Sequence, residues 1–256
     1  VKGVVDSAFH YAGQKCSAAS LGIVEGAVLD DPSFLRRLAD AVRSLRVLPA
    51  IDLAAMTGPV VAPPSGNLLR ALTTLDPGES WLVEPHRLDD SGRLWSPGVR
   101  VGVQPGSWFH LTECFGPVLG LMRADDLDDA IRLQNATAYG LTGGIHSLDE
   151  REIATWLDRV EVGNAYVNRH ITGAVVQRQP FGGWKRSTVG GGVKAGGPDY
   201  VLQFARITPA GEVDTDPVAV LEAAWGRQGG SGVDVSGLAA ESNVLRHLPL
   251  RRVVVR

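Results

Sequence analysis

The chain has 256 residues, 44% hydrophobic and 21% charged, an ordinary balance for one or two globular domains. A net charge of −3 excludes a strongly basic protein built for nucleic acid or an anionic membrane surface, and no run approaches the ~20 apolar residues of a bilayer span. Cys16 and Cys114 are the only thiols and neither has a cysteine or histidine cluster beside it, which excludes a zinc centre and fits a reducing, cytoplasmic setting.

Val1 enters an apolar run, VKGVV, that reads as a strand. No initiator methionine precedes it, so the chain is expected to be a piece of a longer protein. FHYAGQKCSAASL (9–21) reads as a polar, glycine-containing turn just ahead of a helix, and LGIVEGAVL (21–29) as a short apolar run. Asp31 is placed as an N-cap with Pro32 at the first helical position. In the helix after it, Phe34, Leu35, Leu38, Ala39, Val42 and Leu45 share one face at 3.6-residue spacing. Ser65 opens a second helix through Leu75, and residues 79–110 hold short strands separated by DDSG and SPG turns. VLGLMR (118–123) is a strand, and DLDDAIRLQN (126–135) a helix with acids in its first turn.

LTGGIHS (141–147) is a strand, after which Ser147 and Glu150 form a capping box, SLDE. Ile153, Ala154, Trp156, Leu157 and Val160 make the buried face of the helix that follows, and VGNAYVN (162–168) closes the series. Strands separated by helices predict an α/β fold with a parallel, helix-covered sheet. PFGGWKRSTVGGGVKAGGPDY (180–200) is irregular, and YVLQFARI (200–207) alternates enough to be a strand. GGGVKAGG (190–197) is no phosphate loop, because no Gly-Lys-Ser/Thr follows it.

Cys16 carries the functional question. Gly13, Gln14, Lys15 and Ser17 around it make a poor pocket for a merely apolar cysteine. A helix mouth and the Lys15 charge both favour thiolate, so a nucleophile fits this position, as does an exposed bystander. A papain-like site needs a histidine base, and spacing selects none of the six histidines. His146, on an apolar strand, reads as a core residue.

Four segments carry a family resemblance. GQKCSAASL resembles the nucleophile segment of the aldehyde dehydrogenase superfamily, and TECFGPVLGL (112–121) its E-x-F-G-P-V motif. NATAYGLTGGIHSLD (135–149) and VGNAYVNRHITGAVVQRQPFGGWKRS (162–187) resemble the two segments that follow in that family, in the same order, over residues 1–208. Within it, ITGAVVQRQPFGG and GGGVKAGGPDY resemble the L-glutamate γ-semialdehyde (1-pyrroline-5-carboxylate) dehydrogenases, including those fused in bifunctional proline utilization proteins.

The resemblance implies the following. Cys16 is the nucleophile, with its own backbone amide as one oxyanion donor. Glu113 bonds the nicotinamide ribose of NAD, and Phe115 packs near the nicotinamide, while Cys114 between them is structural. Ser17 supplies a hydroxyl to the α-carboxylate of the substrate, Gly173 and Ala174 supply backbone donors, and Phe181 packs on its aliphatic linker. Lys185 and Arg186 form a solvated face. No metal is implied, and FAD only if a proline dehydrogenase domain is fused. Residues 1–195 are the catalytic domain, 196–208 an oligomerisation flap strand that makes a homo-oligomer, and 209–256 a C-terminal extension. The family's NAD-binding domain, general-base glutamate and oxyanion asparagine precede the nucleophile and lie outside this sequence. A noncatalytic module for assembly or channelling would have lost Cys16 or Glu113, which are both present; a different aldehyde substrate remains open.

Overall fold

The computed structural model describes residues 1–176, 178–189, 193–206, 208, 216–228, 232–234 and 236–248. These gather into two compact units: Val1–Gly173 with Gly183–Val189, and Ala174–Gly182 with Gly190–Arg256. In chain order the first unit holds helix α1 (Lys2–Phe9), strand β1 (Leu21–Glu25), α2 (Gly26–Leu29), α3 (Pro32–Arg43), α4 (Gly66–Thr73), β2 (Ser80–Val83) and β3 (Gly98–Val101). It continues with α5 (Trp108–Leu111), β4 (Val118–Ala124), α6 (Leu127–Asn135), β5 (Tyr139–Gly140), β6 (Thr142–Ile145), α7 (Glu150–Arg159), β7 (Asn164–Val167) and β8 (Trp184–Lys185).

A four-stranded sheet in the order β1-β4-β3-β2 centres the unit. β4 alternates its side chains between two cores. Leu119 and Leu121 face Val5, Ala8 and Phe9 of α1 and Leu38, Ala39 and Val42 of α3. Val118, Met122 and Ala124 face Leu68, Ala71 and Leu72 of α4, Phe109 of α5 and Leu133 of α6. Burial on both sides explains the unbroken apolar run of β4, and each such side chain contributes about 1.5–3 kcal/mol. A third cluster joins Ile131 of α6 to Trp156, Val160 and Val162, beside the parallel pair β6-β7.

Several expectations are corrected. VKGVV is helical rather than extended, because Val5, Ala8 and Phe9 recur at helical spacing and bury one side. The main sheet is mixed: β1, β4 and β3 run parallel, but β2 is antiparallel to β3. Residues 84–97 between them contain no helix to serve as the crossover a parallel pair requires. LGIVEGAVL divides at Gly26 into β1 and α2. The cap of α7 is Asp149, whose carboxylate accepts from Arg151 N, while the Ser147 hydroxyl pairs with Glu152. Ala154 is exposed, on the far side of α7 from Trp156, and His146 lies exposed just beyond the end of β6. The Asp31 cap of α3 is as expected, with its carboxylate accepting from Ser33 N at 2.8 Å.

Arg100 of β3 is fully buried with Glu79 at 2.8 Å, and donates to Ala71 O and Thr74 O at the end of α4. This ties helix to sheet with charge as well as apolar surface.

The second unit contains a 3-10 turn (Tyr200–Phe204), α8 (Pro217–Gln228) and the antiparallel pair β9 (Val233–Asp234) and β10 (Val244–Leu245). Where alternation predicts a strand over YVLQFARI, local bonds such as Leu202 N to Asp199 O and Ala205 N to Leu202 O close a turn instead. A strand needs a neighbouring edge to satisfy its backbone. Ile207 and the Gly190–Gly192 part of the glycine-rich segment lie outside the described residues. Among the described residues no helix is long and apolar enough to cross a membrane.

Candidate active site

Three consecutive residues after α1, Tyr11, Ala12 and Gly13, have φ of 58°, 55° and 64°. Left-handed backbone is uncommon for tyrosine and alanine and persists only where surroundings enforce it. Thr57 does so: its hydroxyl donates to Phe9 O and accepts from Ala12 N, both at 3.0 Å. Gly13 then passes so close to residues 112–116 that a Cβ on it would lie 2.1 Å from Gly116 O. Only glycine fits there.

Gln14 locks this approach. Its Nε2 donates to Phe115 O at 3.1 Å, and its Oε1 accepts from Val61 N at 2.8 Å. Residues 15–18 form a turn closed by Ala18 N to Lys15 O, and Cys16 is exposed on it with a free thiol. The expected helix mouth is absent: α1 precedes Cys16, and the apolar run beyond it pairs with β4 as β1. The positive charge beside the thiol comes from Lys15. Its ammonium sits 4.5 Å from the centre of the Tyr11 ring, and a Cβ on Gly173 would lie 3.3 Å from it.

Ser17 is fully buried, and its Oγ accepts from Gly173 N at 3.1 Å. The Gly173 amide, expected to donate to a substrate carboxylate, is therefore engaged by Ser17. Glu113 is exposed, and Phe115 is 44% exposed with φ of 56°. Cys114 between them turns inward; its Sγ donates to Thr112 O at 3.6 Å, and burial pushes the thiol up to about 11. Cys16, Ser17, Glu113, Phe115 and Gly173 all belong to the first unit, with the Cys16 turn bonded to the Phe115 and Gly173 segments.

Ala174 and Phe181 belong to the second unit. Phe181 exchanges both backbone hydrogen bonds with Ala195 at 2.9 Å, and Lys194 Nζ donates to Gly182 O at 3.0 Å. Burial lowers the Lys194 ammonium to about 8. Gln179 accepts from Val175 N, next to Ala174, and donates to Asn243 at 2.7 Å.

Lys185 is not on a solvated face. Its ammonium donates to Asn135 O and Thr137 O at 2.6 and 3.1 Å and pairs with Glu161 at 2.9 Å, closing the C-terminal end of α6. Sequence reasoning also missed Thr57 and Gln14. Nothing local marks Thr57; Gln14 stood beside the cysteine but read only as polar.

The exposed carboxylate of Glu113 and the exposed face of Phe115 fit the ribose hydroxyls and ring at the nicotinamide end of a dinucleotide. Among the described residues no group of three or more His, Cys, Asp or Glu is placed to hold a metal.

A family model described as "Aldehyde dehydrogenase family" matches residues 1–209. The chain is similar to 1-pyrroline-5-carboxylate dehydrogenase of Geobacillus sp. (strain WCH70), 37% identical over 202 residues, 78% of this chain and 38% of that protein. It is similar to the solved structure of proline utilization A (PutA) from Corynebacterium freiburgense, with TM-score 0.88, 52% identity, and coverage of 97% of this chain and 27% of that one. A 1-pyrroline-5-carboxylate dehydrogenase from Thermus with bound NAD gives TM-score 0.70 and 36% identity, covering 79% of this chain and 39% of that one. The chain thus spans about two-fifths of the length of the curated relatives it matches.

Proposed function

The chain belongs to the aldehyde dehydrogenase family, and from that premise we propose that it is the thiol-bearing catalytic part of an NAD-dependent dehydrogenase. Its substrate is L-glutamate γ-semialdehyde, oxidised to L-glutamate in proline catabolism. The observation that carries the reading is the exposed Cys16 thiol on a turn bonded on one side to the Phe115 segment and on the other to Gly173.

The Cys16 thiolate attacks the aldehyde carbon and forms a thiohemiacetal; the oxyanion takes a hydrogen bond from the Cys16 backbone amide. NAD, when bound, supplies the acceptor for the hydride lost from that carbon. Glu113 and Phe115 orient its nicotinamide end, and water hydrolyses the resulting thioester on Cys16. The α-carboxylate of the substrate meets Ser17 and the Lys15 ammonium. Ser17 is fully buried, so its hydroxyl meets the carboxylate only when the turn opens to admit it. A serine hydroxyl that accepts one N–H, as here from Gly173, still has its own proton to donate.

The test is mass spectrometry of the full-length enzyme quenched during turnover of the semialdehyde with NAD. A glutamyl adduct on the peptide carrying Cys16 is expected. Turnover with no adduct there, even in samples quenched in acid, would sink the covalent reading.

A further inference from the structure

Gly173 is held from both sides. Its N–H donates to Ser17 Oγ at 3.1 Å, and its C=O accepts from the Tyr166 hydroxyl at 2.8 Å. Tyr166 lies on β7, and Thr142 on the adjacent β6 donates its hydroxyl to Ser17 O at 3.3 Å. β6 and β7 pair in register, Thr142 opposite Asn164 and Gly144 opposite Tyr166. The bonds close a ring: β6 to Ser17, Ser17 to Gly173, Gly173 to Tyr166, and back through the strand pair. The residue next to the nucleophile and the glycine of the following loop are therefore fixed against one rigid frame.

Tyr166 suits that place. Its ring is buried, so its position is set by packing, and burial outweighs the nearby Arg169 to keep the phenol a neutral donor well above neutral pH. Gly173 has φ of 80°, a conformation other residues rarely adopt. Among the described residues, the bond to its carbonyl and the bond to Ser17 are the hydrogen bonds that hold it, so losing the first leaves it tied through its N–H alone. A hydroxyl lost from a buried tyrosine changes no apolar contact, so phenylalanine separates packing from positioning.

We propose that Tyr166 is a positioning residue that, by holding Gly173 against Ser17, sets the site's preference for aldehydes bearing a charged tail. This rests on the functional reading above, in which Ser17 meets the tail.

The test uses the full-length enzyme with Tyr166→Phe and, from the other side of the ring, Thr142→Val. For each, the ratio of kcat/KM for glutamate semialdehyde to that for propanal is expected to fall ~3- to 10-fold, mainly through KM, the range one hydrogen bond carries. Exchange of the Gly173 amide with deuterium should quicken by a similar factor. Wild-type enzyme that shows no preference for the semialdehyde over propanal overturns the functional reading itself. A preference kept intact by both variants overturns only the role of Tyr166, as does an equal loss on the two aldehydes. Faster exchange with an unchanged ratio also overturns it, since the ring would then hold Gly173 without reading the tail.

Discussion

The two cysteines stand in adjoining segments and have opposite surroundings. Cys16 is exposed on a turn whose backbone is forced by Thr57, Gly13 and Gln14. Cys114 is buried beneath the strained Phe115, and desolvation holds it as a neutral thiol up to about 11. The same side chain is thus a solvent-facing thiol in one place and a small apolar filler in the other. Burial and backbone, rather than residue type, make the difference.

Replacing each thiol would break or sharpen that contrast. Cys16→Ala in the full-length enzyme should lower turnover ~10⁴-fold or more while leaving NAD affinity nearly intact, since losing a nucleophile has that cost. Steady-state rates and NAD titration check it; more than about a thousandth of wild-type turnover would remove Cys16 from covalent catalysis.

Alkylation gives the next largest contrast. At pH 8 a thiol titrating near 11 is only about a thousandth ionised, and the thiolate is the reactive form. Iodoacetamide should therefore modify Cys16 at least ~100-fold faster than Cys114. Peptide mapping over time reads this directly, and comparable rates at the two sites would contradict the assignment.

Ser17→Ala should raise KM for glutamate semialdehyde roughly 10- to 100-fold and leave propanal much less affected, as one charge-assisted hydrogen bond carries about 1.5–3 kcal/mol. Equal effects on both aldehydes would show that the hydroxyl serves only to hold Gly173.

The smallest effects are expected at Cys114. Cys114→Ala should change turnover less than about threefold while costing about 1–2 kcal/mol of stability, the range of a modest core truncation. The pH dependence has a definite sign. The folded pKa of about 11 exceeds the ordinary 9.0, so the contribution of this thiol to stability is complete below 9 and is lost as pH rises toward 11. The stability gap between wild type and Cys114→Ala should close over that window in denaturant titrations. A gap that widens would mean the folded protein favours the thiolate.

Local signals were enough for much of the first unit. Asp31-Pro32 announces α3, the apolar period of Phe34 to Leu45 gives its buried face, and VLGLMR gives the central strand. They were insufficient for VKGVV, where five residues hold too little periodicity to separate strand from helix. They misplaced the α7 cap because Ser147 and Asp149 both satisfy cap chemistry, and the two-residue choice between them is made by how the Ser147 hydroxyl meets Glu152.

The sequence by itself determined the family and singled out Cys16, Ser17, Glu113, Phe115, Gly173, Ala174 and Phe181, since four ordered motifs carry those positions within residues 1–208. Tertiary structure alone decided what surrounds them. Ser17 turns its hydroxyl to Gly173, 156 positions away; Gln14 bonds Phe115, 101 positions away; and Lys185, read as solvated, closes the end of α6. Such bonds join groups whose separation along the chain carries no period or spacing. They form only when the apolar faces of β4, α1 and α4 have packed and brought the segments within about 3 Å, the reach of a hydrogen bond.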